Sequence, residues 1–189
     1  CVATCFNSPD VAYNSAKRFI GHDLYPDENV FPRIVRHYGD RVAAVAAETE
    51  AIAARALSLI QVEYEDLPLV LDVEAAVTPG AYPLHERGNL LGTFKAATGD
   101  VEAAFAQADH IVEGRYSVPM VHHFCMELHS CIAAWENGSL KVWGSTQNIF
   151  AVRLILSEVF RMPMNKIRVA QLPVGGGFGS KYEVILEPV

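Results

Sequence analysis

The sequence predicts an α+β fold: a compact strand–helix–strand unit followed by the first part of a larger mixed domain. Three observations predict it. An apolar run over residues 41–47 leads into a helical pattern and then into alternation at 61–65. An Asn137-Gly138 pair sits between two alternating runs, the signature of a tight hairpin. A strand-like stretch at 166–172 feeds Pro173-Val-Gly-Gly-Gly-Phe-Gly-Ser-Lys181, where four of five consecutive residues are glycine.

Along the chain, residues 2–6 form a short apolar strand, and Asn7-Ser8-Pro9-Asp10 marks a turn. Residues 12–33, with Tyr25-Pro26 and Phe31-Pro32, read as a long surface loop. Residues 41–47 read as a buried strand. Thr49 is placed to cap the next helix, with Glu48 and Glu50 near the positive end of its dipole. Ile52, Ala56, Leu59 and Ile60 carry its apolar spacing, and 61–65 then alternates as an edge strand. This first domain spans 1–78. A Pro- and Gly-bearing stretch at 79–98 reads as a linker, and the second domain occupies 99–189. There Asp100 caps a helix over 101–108, and 111–118 alternates as a strand. Residues 130–144 form the hairpin, 149–160 a helix with Val152, Leu156, Val159 and Phe160 on one face.

Composition narrows the function. With 51% hydrophobic and 20% charged residues, the chain builds a core rather than staying disordered. A net charge of -7 argues against nucleic acid, whose phosphates need a basic surface. The sequence has no apolar run long enough to span a membrane. Cys1, Cys5, Cys125 and Cys131 are too few for a disulfide scaffold, which suits a reducing cytoplasm. The chain starts without Met and stops mid-pattern, as expected of a piece of a longer chain.

Three stretches carry chemistry. The glycine loop after a strand offers bare N–H groups, an oxyanion or phosphate cradle, with Lys181 as a first-glance phosphate clamp. Against that stands a simple tight connector. Over 122–131, an extended chain would put His123, Cys125, Glu127, His129 and Cys131 on one face and Phe124, Met126 and Leu128 on the other. That face is either a half-buried polar strand, the wall of a cofactor cavity, or a zinc site built from His122, His123 and Cys125 with ligands from elsewhere. In Ser145-Thr146-Gln147, Ser145 or Thr146 would cap the next helix, while Gln147 can donate and accept toward a bound polar ring. No G-x-S-x-G elbow supports a serine hydrolase.

In order, His122-His-Phe-Cys-Met-Glu127, Gly144-Ser-Thr-Gln-Asn148 and Gly175-Gly-Gly-Phe-Gly-Ser-Lys181 resemble the molybdenum-binding large subunit of the xanthine dehydrogenase / aldehyde oxidase family. Upstream, 39–50 and 62–68 are similar to that family's α/β hammerhead domain. The resemblance implies hydroxylation of an N-heterocycle, a purine or an aldehyde, with water as oxygen source. It implies molybdopterin with molybdenum, in bacteria often as the cytosine dinucleotide. Electrons would leave through iron–sulfur clusters to FAD on partner subunits or domains, in an oligomer completed by the remainder of the large subunit.

By position, Gly176, Gly177, Phe178 and Gly179 would bind the cofactor, with backbone groups facing the metal's oxo ligand. Gln147 would line the cavity, and Phe178 and Tyr182 would meet the substrate. No catalytic residue or metal ligand is expected in this stretch, because the family's base lies downstream. Two positions depart from the family pattern. Val121 stands where many relatives carry a glutamine, and Tyr182 where purine-oxidising members carry a glutamate. The resemblance therefore favours a heterocyclic acid or aldehyde as much as xanthine. Two other readings remain: a separately encoded subunit that docks the iron–sulfur partner, and a zinc-dependent enzyme.

Overall fold

The computed structural model describes residues 1–8, 11–13 and 26–182. The chain divides into two compact units, one made of Cys1–Tyr64 with His123–Val189 and the other of Glu65–His122. Both divisions lie outside the stretch 79–98.

In the first unit, β1 (Val2–Thr4) pairs antiparallel with β2 (Ala43–Val45), Ala3 facing Ala44. The helix α1 (Glu50–Leu57) follows, and Thr49 caps it by accepting from Ile52 N at 3.3 Å. Mixed helices and small sheets give the α+β class.

The larger sheet has the order β3 (Cys131–Glu136), β4 (Ser139–Gly144), β5 (Ile167–Gln171). Asn137 and Gly138 take φ of 51° and 71° between β3 and β4, as the sequence predicted for a tight turn. The helix α4 (Ile149–Val159) crosses over to bring β5 parallel to β4. Its buried residues Ala151, Val152, Ile155, Leu156 and Val159 recur at helical spacing. The core they enter holds Leu140 and Val142 of β4 and Ile167 of β5. Trp135 of β3 meets Phe160 edge-on, with ring centroids 6.0 Å apart. This strand–helix–strand frame fixes two points. The turn after β4 carries Gln147, and the chain leaving β5 is the glycine loop, tied back by Leu172 N donating to Gly144 O at 3.0 Å.

Several expectations are corrected. The part of 12–33 that is described is not surface loop. Tyr13, Val30 and Phe31 are buried in the core, and the Arg41 guanidinium donates to the Tyr13 hydroxyl and to Asn29 O, both at 3.2 Å. Strand β2 is half-buried rather than buried, and α1 buries no residue. Leu59 and Ile60 lie past its end. Residues 61–65 and 111–118 form no strand, because alternation yields a ladder only where a neighbouring strand supplies hydrogen bonds. Residues 182–187, whose sequence reads as the opening of a helix or of a second strand, fall mainly outside the described residues.

The second unit holds α2 (Val73–Ala76) and α3 (Val101–Ala106), capped by Asp72 and by Asp100, the latter as expected. No helix or strand lies between them. Asn89 instead ties this stretch locally, accepting from Leu84 N and donating to Ala76 O and Tyr82 O.

Candidate functional site

Residues 122–130 are irregular, not a strand, and Phe124 has a φ of 49°. The one-face alternation expected there is therefore lost. Even so, Cys125 and Glu127 reach the glycine loop through long-range bonds.

Glu127 is the hub. Its Oε2 accepts from Ser145 Oγ at 2.7 Å, from Gly175 N at 2.6 Å and from the Lys181 ammonium. The Lys181 side chain is 0% exposed, so its charge lies wholly out of solvent against this one carboxylate. That geometry replaces the phosphate-clamp reading of Lys181: the ammonium is already committed. Ser145 serves Glu127 rather than capping α4. Thr146 Oγ1 accepts from Asn148 N, and the cap is Asn148, whose Oδ1 accepts from Ala151 N at 3.0 Å.

The Lys181 ammonium, the Ser145 hydroxyl and the Gly175 N–H together hold the Glu127 carboxyl at a pKa of about 2, against an ordinary 4.5. The folded value lies below the unfolded one. The carboxylate therefore contributes stability fully above about 4.5 and loses that contribution as pH falls toward 2. Acid titrations of wild type and Glu127→Gln should show it: the wild type loses more stability than the variant across that window. Equal slopes would mean that the native carboxyl is not depressed.

The loop sits on Gln147. The Gln147 Oε1 accepts from Gly179 N and Lys181 N, both at 3.3 Å, and Gln147 N donates to Lys181 O at 2.8 Å. Backbone N–H groups can donate only to an oxygen, so the carboxamide orientation is fixed. Its NH2 group is left without an acceptor among the described residues. Beneath the loop, Cys125 Sγ lies 3.2 Å from Gly177 O and 3.3 Å from Ser180 Oγ.

The loop bends sharply, with φ of 99° at Gly176, 51° at Phe178 and 101° at Gly179. Ser180 N donates to Gly177 O and Tyr182 N to Gly179 O. Phe178, a left-handed residue without a glycine's freedom, presents its ring outward at 77% exposure. The N–H groups of Gly176, Gly177 and Phe178 donate to no group among the described residues. His123 is close by: a Cβ on Gly179 would lie 3.5 Å from its Nε2.

The family described as Molybdopterin cofactor-binding domain matches residues 84–189, and the Aldehyde oxidase and xanthine dehydrogenase, a/b hammerhead domain matches 2–68. The chain belongs to the molybdopterin cofactor-binding domain family and carries the hammerhead domain before it. The xanthine dehydrogenase molybdenum-binding subunit of Escherichia coli O157:H7 is 36% identical over 96% of the chain, which spans 25% of that relative's length. Quinoline 2-oxidoreductase from Pseudomonas putida 86 superposes with a TM-score of 0.68 at 35% identity, covering 76% of this chain and 19% of that one. The aldehyde oxidoreductase of Desulfovibrio gigas shares the fold, with a TM-score of 0.81 at 22% identity, covering 100% of this chain and 21% of that one.

The residues present fit a pterin-borne metal better than a bare ion. Among the described residues no three His, Cys, Asp or Glu side chains gather to hold a metal, so His122, His123 and Cys125 form no zinc site. The groups left without a partner among the described residues are instead hydrogen-bond donors, suited to a cofactor that brings its own metal ligands. The structure brings Gln147 against Gly177 and Gly179 of the loop that also carries Gly176 and Phe178, whereas the Glu127–Lys181 pair was missed from the sequence. Their separation of 54 positions leaves no local signal. Among the described residues no helix is long and apolar enough to cross a membrane.

Proposed function

We propose that the chain is part of the large subunit of a molybdenum hydroxylase. The observation that carries this reading is a run of donors: the N–H groups of Gly176, Gly177 and Phe178, which have no acceptor among the described residues, beside the anchored Gln147 NH2. When bound, molybdopterin would supply the redox chemistry that inserts a water-derived oxygen into a carbon beside nitrogen, or into an aldehyde. The chain's own residues hold and orient. The backbone donors of Gly176, Gly177 and Phe178 and the Gln147 carboxamide would hold the cofactor through hydrogen bonds. Gly179 permits close approach, and Phe178 and Tyr182 wall the substrate.

Domains follow as 1–78, a linker at 79–98, and 99–189, with the catalytic base in the remainder of the subunit. The substrate is a heterocycle such as a quinoline, a purine or an aldehyde. Tyr182, which stands where purine-oxidising members carry a glutamate, supports the non-purine choices. Electrons pass to iron–sulfur and FAD partners in a cytoplasmic oligomer, and the pterin is the cytosine dinucleotide form.

Metal analysis of the purified full-length protein tests this. Stoichiometric molybdenum with fluorescent oxidised pterin, and turnover of an N-heterocycle or aldehyde, are expected. Zinc without molybdenum overturns it. In the loaded protein, Phe178→Ala should raise KM about tenfold, the scale of one lost aromatic contact. An unchanged KM would remove Phe178 from the substrate wall.

A further inference from the structure

Glu127 and Lys181 play no direct part in the proposed binding surface, yet they join every element that builds it. We infer that the Glu127–Lys181 pair is a positioning device that fixes the Gln147 carboxamide and the free N–H groups of the glycine loop in one geometry for the bound cofactor. The inference rests on the molybdopterin reading and assigns that site residues of its own.

Glu127 Oε2 takes Ser145 Oγ from the turn after β4, Gly175 N from the start of the glycine loop and Lys181 Nζ from its end. Both ends of the loop are thus tied to a single oxygen. The same Lys181 is bound through its main chain on both sides of Gln147, with its N–H to Gln147 Oε1 and its carbonyl from Gln147 N. Lys181 therefore links the carboxylate hub to the carboxamide, so a shift in Glu127 carries to Gln147 through one residue.

Burial makes the link stiff. The Lys181 ammonium is out of solvent, and moving it off Glu127 would leave an unpaired buried charge. Glu127 itself lies in an irregular segment, so no ladder holds it in place. Packing closes the remaining freedom: a Cβ on Gly175 would lie 2.8 Å from Glu127 Cβ, so the loop rests directly on that side chain. Outer partners of this kind around metal sites typically change function about 10–100-fold when removed.

The test uses the full-length protein with Glu127→Gln, Lys181→Met, Lys181→Arg and Ser145→Ala. With molybdenum and pterin content retained, E127Q and K181M should lower kcat about 10–100-fold with KM nearly unchanged, and alter the Mo(V) electron paramagnetic resonance spectrum. K181R should restore most of the loss, because it keeps the charge. S145A removes one of three bonds without unpairing a charge, and should give a smaller change of the same kind. Wild-type kcat and spectrum in E127Q at full cofactor loading overturn the inference. If E127Q and K181M do not fold, S145A decides, and a wild-type kcat and spectrum there overturn it equally. Hydrogen exchange of residues 173–182 in cofactor-free protein gives a second readout. Exchange should quicken in S145A and E127Q, and unchanged exchange overturns the device whether or not the cofactor is molybdopterin. A wild type without molybdenum or pterin sinks the proposed function instead.

Discussion

Gly177→Ala is expected to abolish most turnover while leaving the fold nearly as stable as before. A Cβ at Gly177 would lie 2.8 Å from Gln147 Cδ and closer still to Oε1. These atoms are the far end of a flexible side chain, so the clash is relieved by swinging the carboxamide away. Doing so breaks its bonds from Gly179 N and Lys181 N and removes the anchored NH2 from the donor surface. The cost falls on the site, not on the core. A misplacement of about 1 Å in such a constellation lowers rates by roughly 100-fold. The expected pattern is a kcat down by about that factor, a melting temperature within a few degrees of wild type, and reduced molybdenum content. Gly92→Ala is the control, since its Cβ would meet nothing within 4 Å. Wild-type kcat in Gly177→Ala would mean that Gln147 has no part in the site. A collapse in stability would mean that the loop belongs to the core.

What the sequence made legible was local chemistry. Thr49 and Asp100 cap where expected, because a cap is decided within three residues. Asn137-Gly138 turns as expected, because positive φ is a property of those two residues. The helix over 149–160 and the strand at 166–172 were legible from periodicity, and together with the hairpin they form the frame under the site. The misses are all long-range. Alternation at 61–65, 111–118 and 122–130 promised strands, but a strand needs a partner, and none pairs with them among the described residues. Tyr13, Val30 and Phe31 looked like loop because their burial depends on residues far along the chain. At the site, the glycine loop and Gln147 were visible as types of residue. Ser145 was misread as a cap because its true acceptor, Glu127, lies 18 positions upstream.

Leu156→Ala should be the most damaging change to the core. Leu156 is 0% exposed on the buried face of α4, in the cluster with Leu140, Val142 and Ile167. Truncation removes transfer free energy and leaves a cavity in a sheet–helix interface whose strands cannot close on it. A cost of about 2–5 kcal/mol follows. Ile52→Ala is the contrast, since that residue is 52% exposed on α1, a helix with no buried residue, and should cost within about 0.5 kcal/mol. Both substitutions shorten an apolar side chain in a helix, so composition and propensity cannot separate them; only burial does. The consequence for the site is indirect but specific. α4 joins the turn that carries Gln147 to the strand that feeds the glycine loop, so loosening it disturbs both walls together. In a urea titration the midpoint should fall sharply for Leu156→Ala and barely for Ile52→Ala. Below that midpoint, folded Leu156→Ala should keep a kcat much closer to wild type than Gly177→Ala does. Equal midpoints for the two variants would mean that α4 does not pack on the sheet as described.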